Sequence, residues 1–157
     1  MEQRFEPAFV AWESRARESF ASQGFMRHLG VQIVELQPGR CVIATDYDER
    51  LSQHNGFYHA GVSAAIGDSA GGYAGLTLFT EDADVLTVEF KINLLTPAVG
   101  QRLIATGSVI RVGRRLTTCE IRVDVERDGR RKPCAAMLQT LFAARPTSER
   151  TRAKAHG

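Results

Sequence analysis

Asp68 is the only charged side chain between His59 and Glu81, and it stands in a run of Ala, Gly, Val and Ile. A lone carboxylate is costly to bury unless it is paired or protonated. One held in a largely apolar cleft accepts a proton more readily than one in water, which suits a general base. The same pattern also fits an Asp that caps a neighbouring segment or faces a subunit seam. A second group lies just upstream, Gln53-His54-Asn55-Gly56-Phe57-Tyr58-His59-Ala60-Gly61, where the chain turns into a helical segment. The first N–H groups of a helix have no internal partners, and its dipole favours negative charge there. Amides at Ala60 and Gly61 are therefore candidates to hold a carbonyl that becomes an oxyanion. His59 reads as a structural hydrogen-bonder or as a proton carrier.

These groups must be positioned by the surrounding elements. Phe5, Phe9, Trp12, Ala16 and Phe20 recur at helical spacing and predict an amphipathic helix over about residues 5–22, ended near Gly24. Strands are expected over about 31–37 and 40–48, separated by Pro38-Gly39. Residues 59–79 contain Gly61, Gly67, Gly71, Gly72 and Gly75. Each costs about 1 kcal/mol relative to Ala inside a helix. The segment is thus a loop, or a buried helix whose glycines let other backbones come close; one charge in some twenty residues favours the helix. Four further strands follow, over about 84–95, 101–112, 116–127 and 133–144, with turns at Gly113-Arg114 and Asp128-Gly129. Short links between consecutive strands mean antiparallel pairing. An antiparallel sheet curled around the apolar helix buries both, which is a hotdog architecture of the α+β class.

The chain has 157 residues and a net charge of +2, which suits one domain and no field for nucleic acid. Three units are expected: an N-terminal helix to residue 24, the main domain from 25 to 145, and a basic, disordered tail from 146 to 157. Basic residues gather at Arg111, Arg114 and Arg115, and again at Arg127, Arg130, Arg131 and Lys132. Such clusters are solvated hairpin ends or a site for phosphate groups. Cys41, Cys119 and Cys134 stand singly in apolar runs, which predicts reduced core thiols and neither a disulfide framework nor a metal site. The charged start lacks the apolar core of a secretion signal, and no run is long enough to span a membrane, so a cytoplasmic protein is expected.

In this register the chain resembles the PaaI-like branch of hotdog acyl-CoA thioesterases. The motif there is Asn or Gln, two residues, Gly, two residues, His-Gly-Gly, then an acid nine after the His; here it reads Gln53, Gly56, His59-Ala60-Gly61 and Asp68. The likeness continues through Thr87-Val88-Glu89-Phe90-Lys91-Ile92-Asn93 and Thr96-Pro97-Ala98, covering about residues 25–144. It implies thioester hydrolysis with Asp68 as base or nucleophile, the Ala60 amide polarising the carbonyl, Gln53 orienting thioester or water, Thr87 assisting the water and His59 fixing the loop. Asn55, Gly56, Gly61 and Val88 are then substrate contacts, and CoA, as substrate with no separate cofactor, runs along the turn bearing Arg111, Gly113 and Arg114. Phe57, Tyr58, Tyr73 and Phe90 are aromatic candidates for the acyl pocket.

Two departures stand out. Ala60 replaces a Gly, which would be strained if the site needs a positive φ. Gly72 stands where some relatives have a hydroxyl, leaving Thr87 to serve. Nine residues of helix span about 13.5 Å, too far for Ala60 and Asp68 of one chain to act on one carbonyl. An antiparallel second subunit would bring Asp68 of one chain beside Ala60 of the other, giving two shared sites per dimer. A dimer of dimers is usual in the resembled family. The competing readings are a non-catalytic acyl-CoA-binding protein and a hotdog hydratase.

Overall fold

The computed structural model describes residues 4–145; the expected tail lies outside the described residues. The elements are α1 (Trp12–Ser22), α2 (Gly24–His28), β1 (Gln32–Gln37), β2 (Arg40–Asp46), a single 3-10 turn (Glu49–Leu51), α3 (Ala60–Leu76), β3 (Asp84–Leu94), β4 (Arg102–Val112), β5 (Leu116–Arg127) and β6 (Arg130–Ala144). The six strands form one antiparallel sheet in the order β1-β2-β4-β5-β6-β3. It wraps α3, and this is the hotdog arrangement.

The N-terminal helix starts at Trp12, seven residues later than its apolar spacing predicts. Pro7 disfavours helical geometry at Glu6 and so keeps Phe5 out of the helix. Phe5 is used elsewhere: its ring fills the space where a Cβ at Gly39 would lie, with Gly39 at φ +77° in the β1–β2 turn. α1 ends at Ser22, near Gly24 as expected, but Gly24 itself opens the short α2, and Gly30 at φ +67° turns the chain into β1. Asp128 and Gly129, both at positive φ, make the tight β5–β6 hairpin, so β6 begins at Arg130 and not at 133.

α3 is a helix despite its glycines, and β6 shows why. Gly67, Gly71 and Gly75 leave room for Met137, Gln139 and Leu141 respectively; a Cβ at any of the three would overlap its partner side chain. Four residues of helix rise about 6.0 Å and two residues of strand about 6.6 Å, so the two repeats stay in step. The glycines therefore admit strand side chains, with one backbone approach at Gly107 of β4, where a Cβ would fall on the Ala70 carbonyl. The core around α3 includes Ile43, Ile66, Leu103, Val123 and Leu141. Cys41, Cys119 and Cys134 are buried and free; burial pushes the first two thiols up to about 12 and Cys134 to about 11. No helix among the described residues is long and apolar enough to cross a membrane.

The far edge of the sheet is different. β3 pairs only with β6, and its Leu86, Val88, Phe90 and Leu94 are exposed. One stripe of α3 beside it, with Ala64, Ala65, Asp68 and Ser69, is only half-buried.

Candidate active site

The helix start is held by the loop before it. The Gln53 N–H donates to the Phe57 carbonyl (2.8 Å), the Gly56 N–H to the Gln53 carbonyl (2.9 Å) and the His59 N–H to the Leu51 carbonyl (2.9 Å). Gly56 sits at φ +76°, which only glycine adopts without strain. The Gln53 side-chain oxygen accepts from the Asn55 N–H, so its NH2 is the end left free to donate. His59 caps α3: its Nδ1 accepts from the Gly61 N–H at 2.9 Å. That bond takes Gly61 out of the expected pair of oxyanion donors and leaves the Ala60 amide. Ala60 is not among the positive-φ residues, so its side chain causes no backbone strain.

Gln53 and Ala60 line one cleft of about 440 Å³ together with Phe57, Tyr58, Ser63 and Cys134. Ser63, one turn along α3 from Ala60, escaped the sequence reading; its signal was the hydroxyl at i+3 on the same helix face. Cys134 is buried, and burial pushes its thiol up to about 11, which favours the protonated form over the thiolate. Burial also raises the Tyr58 phenol, whose OH donates to the Thr45 carbonyl at 3.2 Å. Tyr73 is not among the residues lining this cleft: it is buried against α1, edge-on to Phe20, with its OH 3.1 Å from Ser19 Oγ. Asn55 points away, with its Nδ2 3.2 Å from His54 Nε2.

Asp68 belongs to a second group. The Thr87 hydroxyl donates to its Oδ1 at 2.7 Å, and Gln139 Nε2 donates to the same oxygen at 2.6 Å. Gln139 Nε2 also lies 3.0 Å from the Asp68 carbonyl oxygen and 3.2 Å from Thr87 Oγ1. Asp68 is half-buried, and none of these bonds reaches Oδ2. Gln139 was missed, although β6 carries the signal: its inward row Ala135, Met137, Gln139 and Leu141 is buried and otherwise apolar. Asp68 and Ala60 lie eight steps apart on one continuous helix, a rise of about 12 Å and so slightly less than the expected figure of about 13.5 Å. A single chain therefore joins Asp68 to Thr87 and Gln53 to Ala60 but keeps the two pairs apart.

Val88 sits at the bulge of β3, exposed and outside both groups. The Arg111–Arg114 turn is also remote within one chain. The Tyr58 backbone N–H donates to the Ala98 carbonyl and that of Gln101 to the Glu126 carbonyl, so the helix start and the β5–β6 hairpin share one end. Gly107 lies against Ala70, and the β4–β5 turn runs on from there towards the helix C-terminus. The basic residues beside the cleft are those of the other hairpin. A groove of about 750 Å³, lined by Arg127, Arg130, Arg131 and Lys132, shares Phe57 and Pro97 with the cleft. A further concavity of about 540 Å³ near Arg50 and Arg102 holds none of the expected residues, and those arginines pair with Asp48 and Asp46.

A family model described as the thioesterase superfamily matches residues 55–132. A thioesterase family protein of Silicibacter pomeroyi, solved by crystallography, is 42% identical, with a TM-score of 0.85, covering 86% of this chain and 99% of that one. The chain belongs to the thioesterase superfamily. The superfamily match takes in Ala60, Asp68, Thr87 and the basic hairpin, while Gln53 and Gln139 fall outside it. The 1,4-dihydroxy-2-naphthoyl-CoA hydrolase of Listeria monocytogenes is 25% identical over 103 residues, 66% of this chain and 84% of its own length. The PaaI protein of the E. coli phenylacetic acid degradation operon shares the fold at 18% identity, with a TM-score of 0.77, covering 87% of this chain and 95% of that one.

Proposed function

We propose that this thioesterase-superfamily chain hydrolyses acyl-CoA thioesters in sites shared between two copies. The observation that carries the reading is the half-open Asp68 carboxylate, anchored through Oδ1 by Thr87 and Gln139 with Oδ2 left for water. Asp68 takes a proton from water as its oxygen attacks the thioester carbon. The resulting oxyanion is met by the Ala60 N–H at the positive end of α3, with the Gln53 NH2 as a second donor. The C–S bond then breaks, the thiolate recovers the proton, and a carboxylic acid and a thiol leave.

A rise of about 12 Å separates base from amide on α3, so the carbonyl needs an amide from another helix. A second copy packed antiparallel on the half-buried stripe of α3 offers that amide at the matching height. The unpaired β3 edge with its exposed apolar residues supports such a contact, because open, apolar edges are ordinarily covered. The CoA moiety is supported by the basic groove that continues from the cleft and by the CoA thioester in the name of the Listeria relative. Ala60, the residue that departs from the motif, costs the site neither an N–H nor backbone strain.

The test is thiol release across a panel of acyl-CoA substrates, with size measured in parallel. Asp68→Asn should lose about two to four orders of magnitude in turnover with its assembly state unchanged. Near-normal turnover by that variant would overturn the assignment, as would a wild-type protein that stays monomeric while fully active.

A further inference from the structure

We infer that Gln139 is the positioning residue for Asp68, dictating which carboxylate oxygen is presented to water. The inference rests on the reading of Asp68 as the base. Gln139 is fully buried in a strand row whose other members are apolar, and burying an amide there is costly unless it is hydrogen-bonded. Only one end of the amide is satisfied. Nε2 serves the Asp68 carboxylate, the Asp68 carbonyl and the Thr87 hydroxyl oxygen, while Oε1 is buried with no partner.

That imbalance sets the orientation. Turned over, the amide would aim its oxygen at the carboxylate and its NH2 into the notch beside Gly71. As it stands, Oε1 occupies the space that a Cβ at Gly71 would need, and the donor end points at Asp68. Thr87 Oγ1 donates to the same Oδ1, so two donors from two strands converge on one oxygen of a side chain on a half-open helix face. The carboxylate is thereby held in one rotamer with Oδ2 outward. A leucine or methionine in this row would pack as well and leave no orphaned oxygen. The amide therefore adds little as packing, and its contribution is preorganisation of the base.

The test uses the full-length protein with Gln139→Met and Gln139→Leu, steady-state kinetics on an acyl-CoA, and thermal unfolding. The expected result is a fall in kcat of about tenfold or more with KM within about twofold, and a melting temperature equal to or above that of wild type. Adding Gln139→Met to Asp68→Asn should cause no further loss. Met137→Leu, two residues away in the same row, should keep its kcat. A purely structural bracket would behave the other way, with a lower melting temperature and an unchanged kcat in the folded protein. That result, or failure of both variants to fold, would overturn the inference. If Asp68→Asn were itself active, the base assignment would fall first; an inactive Asp68→Asn beside a fully active Gln139→Met would sink only the role of Gln139.

Discussion

The step between α3 and β6 can be tested by adding one methyl at a time. Gly67→Ala, Gly71→Ala and Gly75→Ala each gain about 1 kcal/mol of helix propensity, so any difference among them reports the strand partner. At Gly71 the new Cβ overlaps Gln139 Oε1 and lies 3.0 Å from Ile121 Cδ1. Overpacking costs about 1–3 kcal/mol, and displacing Gln139 leaves a buried amide donor without its partner, a penalty of about 1–3 kcal/mol that an apolar residue at 139 would not carry. The net expectation is a loss of roughly 1–5 kcal/mol, or a melting temperature lower by on the order of 10 °C for a chain of this size. At Gly67 the obstacle is the Met137 sulfur, the far end of a flexible side chain, and the change should be close to neutral. Gly75→Ala, against a Leu141 methyl, should fall between them. Denaturant or thermal unfolding of the three variants is the assay. A Gly71→Ala protein as stable as Gly67→Ala would refute the claim that these glycines exist to seat β6 side chains.

Two further outcomes follow from charge and burial. Joint Arg130→Gln and Lys132→Gln should raise KM for an acyl-CoA about fivefold at low salt, since two exposed charge contacts are together worth about 1 kcal/mol. The same change should leave turnover of a short cysteamine thioester unaltered; an equal effect on both substrates would remove the phosphate role of this groove. The three buried thiols should resist aromatic disulfide reagents in the native state and react on unfolding. Cys41 ionises near 9.0 when unfolded and near 12 in the fold, so stability should fall as pH rises across that window, less steeply in Cys41→Ala.

Much of this molecule is written locally. Apolar alternation along β5, the Asp128-Gly129 turn and the solitary charge of Asp68 depend on residues a few positions apart, and such patterns are legible because strand pleat and turn stereochemistry are short-range. The register from Gln53 to Asp68 is legible for the same reason. Other features required the chain to close on itself. Gln139 meets Asp68 across 71 residues only because β6 lies under α3, and its amide looks like any polar residue until the inward row is known. The Gly61 amide was lost as an oxyanion donor because the rotamer of His59 brought Nδ1 to it. Likewise, that the basic turn beside the cleft of the same chain is the β5–β6 hairpin follows from the order in which the strands stack. Sheet order depends on how distant segments bury one another's apolar faces, a sum over distant pairs that no local window contains.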